Sequence, residues 1–164
     1  MKYNKVAYLG VFTALALILS FIESQIPPLT AIPGVKLGIP NIAIIFILYK
    51  VGWRDAVGVN LVRVLIVGLL FGSVVSMLYS FAGAALSLTG MILLKKSNWF
   101  SCVTVSVVGG ILHNAGQIIT ACFVTVTSEL MYYLPVLIIS GTIAGILIGI
   151  VSGLLLKRLE KFKL

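Results

Sequence analysis

Residues 134–156 read LPVLIISGTIAGILIGIVSGLLL and contain no charged side chain. A helix that crosses the hydrocarbon core of a bilayer needs about 20 mostly apolar residues, so this stretch alone is long enough to span a membrane. The whole chain is 60% hydrophobic and 10% charged, with a mean hydropathy of +1.19, whereas soluble domains carry about 25% charged residues. Lipid must therefore be the solvent for most of the chain, and we predict an all-α integral membrane protein with a single domain, residues 1–164.

The apolar runs together predict a six-transmembrane-helix bundle, with helices at about residues 6–25, 39–50, 53–71, 74–94, 99–127 and 131–157. The second helix is short, since residues 39–50 span only about 18 Å. With six crossings, every cluster of Lys and Arg falls on one side of the membrane, as the positive-inside rule requires. We therefore expect a multi-pass protein of the plasma membrane with both termini in the cytoplasm.

Charge and cysteine usage narrow the classes of function. The net charge of +8 lies at the ends of the apolar runs, which indicates membrane topology and argues against a nucleic-acid partner. Cys102 and Cys122 would lie about 30 Å apart on one helix, which excludes a disulfide between them. Neither cysteine has the spacing of a metal ligand, and we predict no metal and no cofactor.

Small residues recur every four positions on two predicted helices. The sixth helix has the stripe Gly141, Gly145, Gly149 and Gly153, and the first helix has the shorter pair Gly10 and Ala14. Such stripes let helices approach closely in lipid. Two interpretations stay open for them, which are packing within the bundle and docking of a partner protein.

Arg63 is the most informative polar residue, because it lies in the interior of the third apolar run, about 15 Å from its start. Charged residues at that depth are costly and usually functional. Glu23, near the outer end of the first helix, is one candidate for neutralising it. An anionic or carbonyl-bearing ligand is the other, and the two are compatible.

Further polar residues cluster on the outer half of the predicted bundle. His113, Asn114 and Gln117 lie within one turn of the fifth helix, where a ligand site and interhelical hydrogen bonds are both plausible. Lys36 and Asn41 lie at the start of the second helix, whose unpaired N–H groups would suit an anion. Tyr79 is a weaker candidate. A ligand pocket open to the outside would contain these residues together with Glu23 and Arg63.

Catalytic signatures are missing from the sequence. The chain has no Gly-rich phosphate loop and no GxSxG motif, and its four acidic residues are not paired. A carboxylate-held Mg²⁺ cluster for diphosphate chemistry cannot be built from them. We therefore assign no catalytic residue and expect a subunit that binds or moves a small molecule.

Several motifs spread over nearly the whole chain resemble one family. They are Glu23 followed by PGVKLG at 33–38 and Asn41, Arg63 with LFG at 70–72, LYS at 78–80 with Gly83, HNAGQ at 113–117, and YLP at 133–135. This pattern is similar to the Gx transporter family, also labelled heptaprenyl diphosphate synthase component I, which looks like a relative of the S components of energy-coupling-factor transporters.

The resemblance implies a six-helix bundle with an outer ligand site, working with a transmembrane coupling subunit and cytoplasmic ATPases. In S components, small residues on the first helix contact the coupling subunit, and Gly10 and Ala14 are the nearest match here, without an AxxxA pattern. The ligand would be a vitamin or an isoprenoid, quinone or flavin-related compound. The alternatives are a membrane subunit associated with heptaprenyl diphosphate synthesis and a membrane anchor of a redox complex.

Overall fold

The structure is a computed structural model that describes residues 2–26 and 38–159, with side chains from residue 5 onward. The described residues form six α-helices and one 3₁₀ turn and contain no strand, which confirms the all-α prediction. The helices are α1 (Lys2–Gln25), α2 (Asn41–Lys50), α3 (Trp53–Phe71), α4 (Val74–Ser97), α5 (Cys102–Thr125) and α6 (Leu134–Arg158).

The predicted helix bounds are right for α3 and differ at the ends of the other helices. The predicted fifth helix, 99–127, is shortened to Cys102–Thr125, because Ser101 caps its start and Val126 ends it in the left-handed conformation. The predicted sixth helix starts three residues early, since Ser128–Tyr133 form a 3₁₀ turn before Pro135 opens α6. Pro in the first turn fits a helix start because its missing N–H would be unpaired there anyway.

The start of α1 and the ends of α2 and α4 lie at one end of the bundle. We call this end the basic end. Lys5 Nζ lies 2.9 Å from Asp55 Oδ2 at the start of α3. The Lys95 ammonium, in the last turn of α4, donates to the carbonyl oxygen of Leu48 in α2. Helices α1 and α3 therefore start at the same end, and α2 carries the chain back to it.

Helix α2 is the central helix of the bundle. Six consecutive residues, 43–48, are buried, so that no face of this helix is left exposed. Its Phe46 ring stacks on Phe12 of α1 at 4.8 Å. The main apolar cluster joins α2 to Ala56 and Val59 of α3 and includes residues of α4, α5 and α6.

Helices α4, α5 and α6 pack through glycine. A Cβ on Gly110 of α5 would lie 2.4 Å from the carbonyl oxygen of Gly141 in α6, and one on Gly116 would lie 2.8 Å from that of Ala82 in α4. The α6 stripe continues against α5, where a Cβ on Gly145 would lie 2.6 Å from Val107 Cα. Packing within the bundle is therefore the role of the stripe from Gly141 to Gly149, whereas Gly153 has nothing within 4 Å.

The outer surface of the bundle is apolar, as expected of a protein embedded in lipid. Large apolar side chains such as Leu69 (74% exposed), Phe123 (80%) and Leu154 (60%) face outward. Four helical segments are long and apolar enough to cross a membrane, and these are Lys5–Gln25, Val74–Ser97, Cys102–Thr125 and Ser128–Arg158. Helix α3 is 19 residues long but includes Arg54, Asp55 and Arg63, and α2 has only 10 residues.

Candidate functional site

Arg63 lies on α3, and its guanidinium is partnered by a neutral side chain. Its Nε donates to Asn60 Oδ1 at 3.0 Å, and Asn60, one turn earlier, is only 4% exposed. Arg63 itself is half-buried, and within the described residues it forms no direct ion pair. Asn60 was not predicted as a site residue. Its position three residues before a membrane arginine, on the same helix face, is the signal that identifies it.

Glu23 joins α1 to the start of α2. Its Oε1 accepts a hydrogen bond from the backbone N–H of Gly38, which has φ +71°. The carboxylate is also near enough to Arg63 to exert an electrostatic attraction on the guanidinium. The Glu23 carboxylate therefore has two roles, since it holds the turn before α2 and partly balances the charge of Arg63.

The start of α2 does not have the unpaired donors that the sequence predicted. The N–H groups of Asn41, Ile42 and Ala43 donate to the carbonyl oxygens of Gly38, Ile39 and Pro40, at 2.9, 3.2 and 3.1 Å. This prediction is wrong because a tight turn precedes the helix and satisfies these groups locally. The Asn41 side chain is half-buried and its amide nitrogen would lie 3.3 Å from a Cβ on Gly38. Lys36 lies outside the described residues.

His113 and Gln117 face α4 across the α4–α5 contact. A Cβ on Gly83 would lie 2.9 Å from Gln117 Cγ and 3.1 Å from His113 Cε1. Tyr79 is one turn before Gly83, on the same face of α4, and is half-buried. The structure thus brings two predicted site residues, His113 and Gln117, to one contact between α4 and α5, and Tyr79 lies one turn away from that contact on α4.

Asn114 faces the opposite neighbour, α6. It is 7% exposed, and its Nδ2 donates to the carbonyl oxygen of Leu137 at 2.7 Å and to Ser140 Oγ at 3.4 Å. Glycine at position 141 leaves room for this amide, because a Cβ there would lie 2.9 Å from Asn114 Nδ2. The nitrogen of Asn114 therefore holds α5 to α6, and only its carbonyl oxygen is left for a ligand.

Contacts between helices show which of these residues share a level in the bundle. A Cβ on Gly68 of α3 would lie 2.8 Å from Met77 Cγ of α4. Because α3 and α4 are antiparallel, Arg63 is then level with Ala82 and Gly83, the point where His113 contacts α4. Arg63 and His113 therefore lie at a similar height in the bundle.

The start of α2 and the Asn114 amide meet α6 at different heights. A Cβ on Gly38 would lie 3.4 Å from Ile148 Cδ1, whereas Asn114 bonds to Leu137. The two points on α6 are separated by about 16 Å along the helix. A single small ligand would therefore not contact both Asn41 and Asn114, although the sequence predicted one pocket for all of these residues.

The sequence profile of one protein family matches most of the chain. The profile described as heptaprenyl diphosphate synthase component I matches residues 12–155. The chain belongs to the heptaprenyl diphosphate synthase component I family. No curated protein and no solved structure shows a significant match.

The match to the heptaprenyl diphosphate synthase component I family includes every residue of the site described above. The match begins at Phe12, the residue that stacks on α2, and ends at Leu155 in the last turns of α6.

Gly10 lies just before the residues that match the family, and Ala14 lies within them. Both are exposed on α1, and Gly10 has nothing within 4 Å of a would-be Cβ. These two small residues are therefore not used for packing within the described bundle.

Proposed function

We propose that the chain is the substrate-binding membrane subunit of a transporter of the energy-coupling-factor type. The main support for this proposal is Arg63. Its half-buried guanidinium lies in a membrane helix and donates its hydrogen bond to the neutral amide of Asn60. A charge in hydrocarbon needs a counter-charge. Glu23 attracts it but is also engaged by the N–H of Gly38, which favours an anionic or carbonyl-bearing ligand as the second partner.

The ligand site in this proposal is centred on Arg63. Glu23 approaches it from α1, and Tyr79, His113 and Gln117 line it on the side of α4 and α5. Asn41, at the start of α2, lies too far along the bundle to share a small ligand with His113 and Gln117, and Lys36 is outside the described residues. Asn114 contributes by fixing α5 against α6. The compound would be a vitamin or an isoprenoid, quinone or flavin-related molecule, and the site would open to the outside of a plasma membrane with both chain termini in the cytoplasm.

Native mass spectrometry of the purified protein tests the ligand site. We expect a retained small molecule in the unaltered protein and its loss in an Arg63→Gln variant. An Arg54→Gln variant is the matched control, because Arg54 lies at the basic end with its guanidinium 5.2 Å from the Trp53 ring. Retention of the molecule by the Arg63→Gln variant, or a protein that carries none, would contradict the proposal.

The partners in this proposal are a transmembrane coupling subunit and cytoplasmic ATPases, and α1 is where the coupling subunit would dock. The exposed Gly10 and Ala14 leave a shallow surface that another helix can approach closely. Leucine at either position would fill that surface without a clash inside the bundle. We expect a Gly10→Leu, Ala14→Leu variant to remain folded and to lose co-purification with the coupling subunit.

The family description favours a second candidate function, a membrane subunit associated with heptaprenyl diphosphate synthesis. In that case the catalytic aspartates would have to come from a soluble partner, because this chain has only four acidic residues. The test is prenyl transfer by that partner with and without this chain in a bilayer. Activity that rises only when the chain is added would favour synthesis, and full activity without it would exclude this function.

A further inference from the structure

A second polar site lies at the basic end, away from Arg63. A cleft of about 370 Å³ opens there between the end of α2 and the last turns of α6, lined by Tyr49, Lys50, Leu156 and Lys157. Two of its four lining residues are lysines, which makes the cleft basic.

Several other charged groups at the basic end already have partners. Asp55 is paired with Lys5, and the Lys95 ammonium is bonded to the carbonyl of Leu48. Arg54 and Lys96 both lie over the Trp53 ring, at 5.2 and 5.6 Å.

Lys50 and Lys157 are the two basic residues that line the cleft. Within the described residues, which do not include Glu160, neither of them forms an ion pair. Both lie in the last turn of a helix, where the carbonyl dipoles favour a cation but do not neutralise it. The cleft therefore combines two ammonium groups and lacks a described carboxylate to balance them.

The wall of the cleft on the α6 side continues into an apolar surface. Leu154 and Ile150 precede Lys157 by about one and two turns on the same face of α6, and they are 60% and 47% exposed. A lipid whose acyl chains lie along this face of α6 would place its headgroup beside the two lysines. Basic pockets between membrane helices are known to bind anionic headgroups in this way.

We propose that this cleft binds a phosphate group between the ammonium groups of Lys50 and Lys157, carried either by an anionic phospholipid or by free phosphate. The site is independent of the ligand site at Arg63. Each lysine contributes attraction to a phosphate at the membrane surface, so that both together strengthen binding by about tenfold or more.

The test uses the full chain in nanodiscs of neutral phosphatidylcholine with an increasing fraction of phosphatidylglycerol. Native mass spectrometry counts the retained phosphatidylglycerol for the unaltered protein, a Lys50→Gln, Lys157→Gln variant and a Lys96→Gln, Arg158→Gln control. Both variants lose the same charge, but only the first pair lines the cleft. We expect retention to fall about tenfold in the first variant and to stay within about twofold in the control.

Equal losses in the two variants would show a bulk charge effect and overturn the proposal, as would full retention of phosphatidylglycerol by the first variant together with no thermal shift on adding phosphate. A Lys50→Arg, Lys157→Arg variant keeps the charge and should keep the bound lipid, which separates loss of the site from loss of the fold. Inorganic phosphate added to the protein in lipid-free detergent distinguishes the two sources. A thermal shift there that disappears in the Lys50→Gln, Lys157→Gln variant assigns free phosphate, and a requirement for phosphatidylglycerol assigns the lipid.

Discussion

Val126, the residue that ends α5, is β-branched and yet has left-handed dihedrals, φ 53° and ψ 32°. This conformation brings Cβ against the backbone and costs about 1–2 kcal/mol for residues other than glycine and asparagine. The side chain is 90% exposed, so that described packing does not compensate for the strain. We expect Val126→Gly to raise the thermal unfolding temperature of the purified protein.

The matched control for Val126 is Val124→Gly, two residues earlier and inside α5, where Val124 is 43% exposed. Glycine in a helix interior costs about 1 kcal/mol, so this variant should melt at a lower temperature. If both variants were destabilised alike, the strain argument would be wrong.

The second prediction about a single residue concerns Asn114. Its removal in an Asn114→Ala variant deletes the hydrogen bond to Leu137, and measured bonds of this kind between membrane helices contribute about 0.6 kcal/mol, with a maximum near 1.7. The unfolding temperature of the ligand-free protein should therefore fall. Thr142→Ala is a control, because Thr142 bonds only within its own helix, to Ile138. An Asn114→Ala variant as stable as the control would show that the amide has no structural role.

At the scale of the elements, the glycine pair of α5 and α6 sets how closely these helices approach. Gly110→Ala would push a Cβ to 2.4 Å from the Gly141 carbonyl oxygen, a backbone atom that cannot rotate away. We expect a loss of more than about 2 kcal/mol, because the two helices must separate. Gly153→Ala, on the α6 stripe that includes Gly141, meets nothing within 4 Å and should be neutral or slightly stabilising. Thermal unfolding of the two variants in the same detergent measures the difference.

The sequence predicts the number and type of the elements better than it predicts their ends. Helix α3 runs from Trp53 to Phe71 as predicted, because Gly52 and Gly72 stop it on both sides. The sequence predicted that α2 starts two residues earlier than it does and that the first backbone N–H groups of this helix are unpaired. The reason is that the turn Gly38–Pro40 uses those donors, and its hydrogen bonds depend on a positive φ that the sequence does not specify.

The candidate site was predicted as a set of residues but not as an arrangement. Depth along each helix follows from counting residues, which is why Arg63 and His113 were both expected between the middle of the membrane and its outer surface. The rotation of each helix about its axis depends on contacts such as Gly83 with His113 and Gly141 with Asn114. Apolar residues cover most faces of these helices, so the hydrophobic pattern could not show that Asn114 faces α6 while His113 faces α4.

At the scale of the whole molecule, the contacts at the basic end require the chain to return between α1 and α3. Lys5 is paired with Asp55, so both helices start at that end and run in the same direction. Helix α2 also ends at the basic end, and its 10 residues span only about 15 Å. A hydrocarbon core is about 30 Å thick. The central helix therefore starts near the middle of the bilayer, in a position where only surrounding protein can cover a non-helical backbone.

This path predicts on which side each turn lies, and cysteine labelling can test it. In a Cys102→Ala, Cys122→Ala background, Ser97→Cys marks the basic end and Ser128→Cys marks the opposite end, and both serines are exposed. Because the basic end carries every described lysine and arginine except Arg63, it should face the cytoplasm. A membrane-impermeant maleimide should then label the Ser128→Cys variant in intact cells and the Ser97→Cys variant only in inverted vesicles. Labelling of both from the same side would mean that α5 does not cross the membrane, and labelling with the opposite polarity would mean that the basic end faces outward.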